Sequence, residues 1–240
     1  LGISFFIFQE ITFLIWFSQQ RIKRVHFVDL FNYIAFFPQL IAGPIATPKE
    51  LLTPLQQLKP KFSADTISYG LMLLIIGIIK KVVIADGLSE SVNIGFGGSD
   101  PSGGRALIAI VAFTLQIYFD FSGYMDMARG ISLMVGINLP INFNRPFRAL
   151  NINDFWRRWH ITLTRLFMNY VYTPLMISIS RHLALRKAGP IPHLITDGVL
   201  VLFTMSLAGL WHGANLTFVL FGAVHGTAMV IDRLLHRDII

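Results

Sequence analysis

Long apolar stretches separated by short polar or basic clusters dominate this chain. A helix that crosses a bilayer needs about 20 apolar residues, so each stretch is first a question of length. Residues 1 to 17 are apolar except for Gln9 and Glu10 and run into Gln19-Gln20-Arg21-Ile22-Lys23-Arg24, a basic stop that predicts a span ending in the cytoplasm. Residues 30 to 48 carry no charge, yet they hold Pro38, Gly43, Pro44 and Pro48. Proline removes backbone donors that lipid cannot replace, so this segment is predicted to be re-entrant or broken and buried in protein. Residues 49 to 65 are amphipathic and predict an interfacial segment. Residues 66 to 84 predict a span that ends at Lys80 and Lys81, which are expected to snorkel, and Gly95 to Gly104 reads as a loop.

Residues 106 to 136 predict a helix with Asp120, Asp126 and Arg129 close to membrane depth. The block from Asn138 to Arg165 is the most polar, with Arg145, Arg148, Arg157, Arg158 and Arg165 against Asp154 alone, and the positive-inside rule places its flanks in the cytoplasm. Residues 166 to 180 are short for a span and are followed by the basic Arg181 to Lys187, so they are expected to stay at, or re-enter from, the same face. From Gly198 to Ile231 the chain has no charge. As one helix that run measures about 50 Å, too long for a single crossing, and Gly213-Ala214-Asn215 supplies the expected break. No internal repeat is visible.

Composition agrees with this pattern: 54% of residues are hydrophobic, 14% charged, and the mean hydropathy is +0.60, which excludes a soluble or disordered chain. The 21 Phe suit outward faces in lipid, and the absence of Cys removes disulfides, thiolate zinc sites and cysteine acyl-enzymes. Twenty Lys and Arg against 13 Asp and Glu are assigned to membrane topology, not to nucleic acid. The chain opens at Leu1-Gly2-Ile3 with neither an initiator Met nor a signal sequence and reads as an internal fragment, one domain over residues 1 to 240.

Ionisable groups inside hydrophobic runs are candidate functional sites, because inserting them costs roughly 3 kcal/mol or more. His212, in Leu210-Trp211-His212-Gly213-Ala214, sits in the uncharged run and is the foremost candidate; the competing role is a buried neutral His bonded to a backbone carbonyl. His160, in Phe155-Trp156-Arg157-Arg158-Trp159-His160, is either functional or an interfacial His anchored by aromatics. His225 follows His212 by thirteen residues, about 220° around an unbroken helix, and is assigned to packing, while His26, His182, His193 and His236 read as solvated surface. Asp120 and Asp126 are six residues apart, a poor spacing for one helical face, so Asp120 is expected to pair with an Arg such as Arg145 or to accept from a Tyr or Ser hydroxyl. Asn142-Phe143-Asn144-Arg145-Pro146-Phe147 is a polar turn suited either to holding a phosphate or carbonyl or to tying down a re-entrant loop. The chain has no G-x-S-x-G elbow, H-E-x-x-H, Walker A loop, G-x-G-x-x-G or His-x4-Asp signature.

Five ordered motifs go further: Pro38-Gln39-Leu40-Ile41-Ala42-Gly43-Pro44, Phe119-Asp120-Phe121-Ser122-Gly123-Tyr124, Asn142 to Phe147, Asp154 to His160, and Gly209 to Ala214. Together they resemble the membrane-bound O-acyltransferase (MBOAT) family over nearly the whole chain, with the bacterial alginate O-acetyltransferase branch nearest. After His160 that branch commonly continues with Ser-Leu-Ser and an Arg-Asp pair before Tyr, whereas this chain reads Ile161-Thr162-Leu163-Thr164-Arg165-Leu166-Phe167-Met168-Asn169-Tyr170, with Asn169 in place of the acid. The resemblance implies an all-α polytopic protein, a ring of tilted transmembrane helices with re-entrant segments around a central tunnel. His212 matches the family's hallmark histidine and His160 its second important polar position.

On this resemblance the expected activity is transfer of an acyl group, foremost acetyl, from a cytoplasmic thioester to a hydroxyl of an extracytoplasmic polysaccharide; D-alanyl or other acyl transfer to a cell-wall polymer is the variant. His212 is the expected base or acyl carrier. His160 is expected to orient the donor or stabilise the oxyanion, with Asn142, Asn144, Arg145, Trp156, Trp211 and Asp120 as candidate substrate-binding residues. No bound cofactor or metal is expected; acetyl-CoA or an acyl carrier protein is the co-substrate. Expected partners are an extracytoplasmic acyl-accepting protein and membrane lipids, in a bacterial plasma membrane. The rival class is a transporter in which His212, His160 and Asp120 line a polar path; it predicts matching interrupted helices from a repeat.

Overall fold

A computed structural model describes residues 2–22, 24–58, 63–97, 103–187 and 189–236. These residues form helices joined by turns, with no strand among them, and they divide into two compact units, Leu1–Asn142 and Phe143–Ile240. Among the described residues, four helical stretches are long and apolar enough to cross a membrane: Ala64–Gly97, Gly103–Met134, Pro190–His212 and Leu216–Leu235. The chain is an all-α polytopic membrane protein.

The first unit opens with α1 (Gly2–Ser18) and α2 (Phe27–Ile34). Gln9, a polar break in the apolar pattern of α1, is buried and its Nε2 donates to the Tyr33 carbonyl, which joins the two helices. Between α2 and α3 (Leu52–Gln56) the backbone is irregular, as the prolines predict. Part of it is buried in protein: Phe36, Ala46 and Leu51 join Phe13, Tyr33, Leu52, Ile137 and Leu139 in one cluster, and the Tyr33 hydroxyl donates to the Ala46 carbonyl at 3.0 Å, whereas Phe37, Leu40 and Ile41 are exposed.

α4 (Ala64–Ile78), a π-helical stretch Ile79–Ala85 and α5 (Asp86–Gly97) run on without a break, so Lys80 and Lys81 lie midway along a helix and not at its end. They are held by ion pairs instead of snorkelling. α6 (Gly103–Met134) supplies two of the partners, with Lys80 Nζ 2.6 Å from Asp126 and Lys81 Nζ 2.7 Å from Asp120, and Lys81 Nζ also lies 2.8 Å from Asp86 at the start of α5. Asp120 therefore pairs with Lys81, correcting the expectation of Arg145; the sequence pattern placed the lysines at the wrong point on the helix. The expected loop at Gly95 to Gly104 is shorter, since α5 reaches Gly97 and α6 starts at Gly103, with residues 98–102 outside the described set.

The pairs differ in exposure, 22% and 19% for Lys80 and Asp126 against 42% and 50% for Lys81 and Asp120. A more buried pair leaves a costlier orphan charge when one partner is removed, whereas solvent screens the exposed pair. Asp126→Asn should therefore lower the thermal stability and membrane yield of the full-length protein more than Asp120→Asn. Equal yields and melting temperatures would show that burial does not separate these pairs.

The second unit begins with a 3₁₀ turn, Pro146–Arg148, then α7 (Ile152–Arg158) and α8 (Ile161–Phe167). α8 continues through a π-helical turn, Met168–Tyr172, into α9 (Thr173–Leu185). Residues 166 to 180, expected to be a short piece at one face, thus belong to a helix from Ile161 to Leu185, about 37 Å long. Pro174 explains the wide turn, because its ring removes a donor and crowds the preceding turn. α10 (Pro190–His212) and α11 (Leu216–Leu235) complete the unit, and the uncharged run breaks at Gly213–Asn215 as predicted. The Asn215 side chain caps α11 by accepting from the Thr217 N–H at 3.1 Å.

Candidate active site

α10 and α11 form a close hairpin because glycines line their crossing. A Cβ on Gly209 would lie 2.1 Å from the Phe218 carbonyl oxygen, and one on Gly222 2.2 Å from that of Met205. Small residues allow backbones to approach this closely in membrane helix pairs. α7 is fastened to the hairpin by polar contacts: Asn153 Nδ2 donates to the Met229 carbonyl at 3.1 Å and to Asp232, and Arg233 Nε donates to Asn153 Oδ1 at 3.2 Å. The helix starts from a cap in which Asn151 accepts from the Asp154 N–H at 2.7 Å. Arg158, 2.8 Å from Asp154, holds that carboxyl below the usual carboxylate range.

Leaving α7, the chain passes through Trp159 and places His160 in the left-handed region, φ 45°, before α8 begins. A non-glycine residue there is uncommon and calls for local support. Aromatic packing surrounds it: Trp159 meets Phe143 at 5.0 Å and Phe155 at 5.6 Å between ring centroids, and Trp211 meets His160 at 6.3 Å. His160 is 3% exposed. Burial, reinforced by the neighbouring His212, pushes its imidazole down to about 3, so this ring stays neutral near pH 7.

His160 and His212 line one cavity. Its wall on α10 consists of Val201, Thr204, Met205, Ala208, Gly209 and His212, at helical i, i+3, i+4 spacing, facing Trp156 and Trp159 of α7 and residues of α8. Tyr172 and Arg233 also line it. Arg233 is held by Asp197 at 2.8 and 3.0 Å, and Asp197 also accepts from the Tyr172 hydroxyl. The space between the lining residues measures about 680 Å³, its open mouth included. His212 is exposed, which corrects the expected burial of its ring. The charge-free run marked membrane depth, but the helix ends at His212 and its side chain lies at the chain's surface.

Of the other candidates, Trp156 lines the cavity and Trp211 lies against both histidines, 4.7 Å from His212 between ring centroids. Asn144 and Arg145 are exposed and do not line it; the Asn144 N–H donates to the Arg158 carbonyl at 2.9 Å, and Arg145 takes φ 48° ahead of the 3₁₀ turn. Asn142 and Asp120 belong to the first unit, where the Asn142 amide lies 3.4 Å from the Met125 sulfur. His225 packs on Trp156 and Phe221, at 5.2 and 4.5 Å. Thr204, Tyr172, Asp197 and Arg233 escaped the sequence reading. Stepping back from His212 by three and four residues along α10 finds Thr204, but Arg233 and Tyr172 reach the cavity only through the hairpin and the α8–α9 helix.

Fold and site together define a polytopic membrane protein with a histidine-lined slot inside a helical unit. The chain belongs to the membrane-bound O-acyltransferase family, MBOAT, whose pattern matches residues 5–237. It is 38% identical over 210 residues to the peptidoglycan O-acetyltransferase of Helicobacter pylori, covering 87% of this chain and 38% of that protein. It is also 38% identical over 239 residues to the probable alginate O-acetylase AlgI of Azotobacter vinelandii, 99% of this chain and 45% of that one. The teichoic acid D-alanyltransferase of Bacillus subtilis is 28% identical over 233 residues, 95% and 58% of the two chains. The chain thus spans less than half the length of the two O-acetyl-transferring relatives.

Proposed function

We propose that the full-length protein is an O-acyltransferase that moves an acetyl group from a cytoplasmic thioester to a hydroxyl of an extracytoplasmic polysaccharide. The observation that carries this is one cavity lined by His212 at an accessible helix end and by the neutral, buried His160. In this reading the His212 imidazole accepts the hydroxyl proton as the hydroxyl oxygen attacks the thioester carbonyl. The new C–O bond forms, the tetrahedral intermediate collapses with loss of the C–S bond, and the departing thiolate recovers the proton from His212. His160, fixed by its left-handed backbone and the Trp211 edge, orients the donor carbonyl. Acetyl is favoured over D-alanyl transfer by the higher identity to the O-acetylating relatives, 38% against 28%.

The test is acyl transfer by the full-length protein in membrane vesicles, with radiolabelled acetyl-CoA or an acetylated carrier protein as donor and alginate-type or peptidoglycan glycan as acceptor. Label in the glycan supports the reading; its absence with every donor and acceptor pair overturns it. Sidedness follows from the arginines of the polar block, costly to translocate together. Cysteine in place of Arg148 should react with impermeant thiol reagents only after the cytoplasmic face is opened, and labelling in intact cells would reverse the topology.

A further inference from the structure

Threonines inside helices commonly satisfy their hydroxyls on the carbonyl four residues back. Thr12, Thr114 and Thr196 do so here, each at 2.8 Å. Thr204, two turns beyond Thr196 on the same helix, does not. It is 5% exposed, its Oγ1 has no hydrogen-bond partner, and it lines the cavity below His212. A second polar atom in that wall is in the same condition: the indole Nε1 of Trp156 is buried without a partner. Buried polar groups left unsatisfied are costly and rare, so two on one cavity call for a ligand that supplies what they lack.

The two groups lie at one level of the unit. Trp156 packs on Phe221 and His225, and the glycines of that stretch of α11, Gly222 and Gly226, meet Met205 and Leu202 of α10 on either side of Thr204. Eight residues separate Thr204 from His212, about 12 Å along the helix axis. That distance puts both groups out of reach of the carbonyl undergoing attack at His212, so they are not its oxyanion hole. A two-carbon acyl group does not reach them either, and a long alkyl tail gives them no partner. An arm that carries an amide meets both needs, since the indole N–H donates to an amide carbonyl while the threonine hydroxyl accepts from an amide N–H.

We infer that Thr204, with Trp156, positions the amide of a pantetheine-type thioester arm that threads the slot toward His212. This assignment rests on the acyl-transfer reading above and names how that site holds its donor. Thr204 is a positioning residue: it fixes where along the slot the arm stops and hence where the thioester lies relative to His212.

The experiment measures steady-state transfer by the full-length protein in vesicles with two donors, acetyl-CoA, whose arm carries amides, and S-ethyl thioacetate, which has none. Thr204→Val, nearly isosteric, should raise the KM for acetyl-CoA about 3- to 10-fold, the loss of one hydrogen bond, and leave the acceptor KM unchanged. With S-ethyl thioacetate the variant and the parent should behave alike. Thr204→Ser should restore the acetyl-CoA KM, Trp156→Phe should raise it, and Thr204→Val should be no less thermostable than the parent, because it deletes an unsatisfied hydroxyl. A Thr204→Val defect that persists with the amide-free donor, or that falls on the acceptor KM, overturns the assignment. If the parent transfers acetyl from neither donor, the assignment falls together with the function it rests on.

Discussion

His212→Ala in the full-length protein is expected to lower acyl transfer by at least about 10²-fold while membrane insertion and yield stay normal. General-base catalysis contributes about 10²- to 10⁴-fold, and no other side chain from Leu210 to Asn215 accepts a proton near neutral pH. The fold should tolerate the change because His212 is exposed at the end of α10, where truncation removes little buried surface and leaves no charge unpaired. His225→Ala is the matched comparison. That residue packs on Trp156 and Phe221 and does not line the cavity, so its loss should retain most activity. Similar mild losses in both variants, measured as initial rates at saturating donor, would remove His212 from the role of base and return acceptor activation to His160.

Gly209→Ala is expected to abolish the folded hairpin although it adds one methyl group. The added Cβ would stand 2.1 Å from the Phe218 carbonyl oxygen and 3.1 Å from the Gly222 nitrogen, both backbone atoms that cannot swing aside. Relief requires α10 and α11 to separate, which moves Thr204 and His212 relative to α7 and opens the slot. Gly198→Ala on the same helix should have the opposite effect. Its nearest contact is a Val230 methyl at 3.5 Å, ordinary packing distance, and alanine favours helix over glycine by about 1 kcal/mol. The two variants are compared by thermal melting and protease resistance in detergent. A Gly209→Ala protein that melts with the parent would mean that the helices cross less closely than described.

Elements set by local chemistry were legible in the sequence. The proline cluster from Pro38 to Pro48 announced the irregular segment, Gly213-Ala214-Asn215 the break between α10 and α11, and the two histidines the residues that share the cavity. Each of these depends on what a residue does to its own backbone, or on an ionisable group standing out against an apolar run. Partnerships required the tertiary structure. Lys80 and Lys81 look like an interfacial stop because a charge pattern contains no information about a carboxylate far along the chain, and only the packing of α6 on the α4–α5 helix turned them toward Asp126 and Asp120. The exposure of His212 against the burial of His160 was likewise beyond the sequence, since hydropathy marks depth in a membrane but not which side of a helix end faces protein. Thr204 is the clearest case. In the chain it is one hydroxyl in an apolar helix, and it becomes part of the site only because α7 brings the Trp156 indole to the same level of the slot and leaves both polar atoms without a partner.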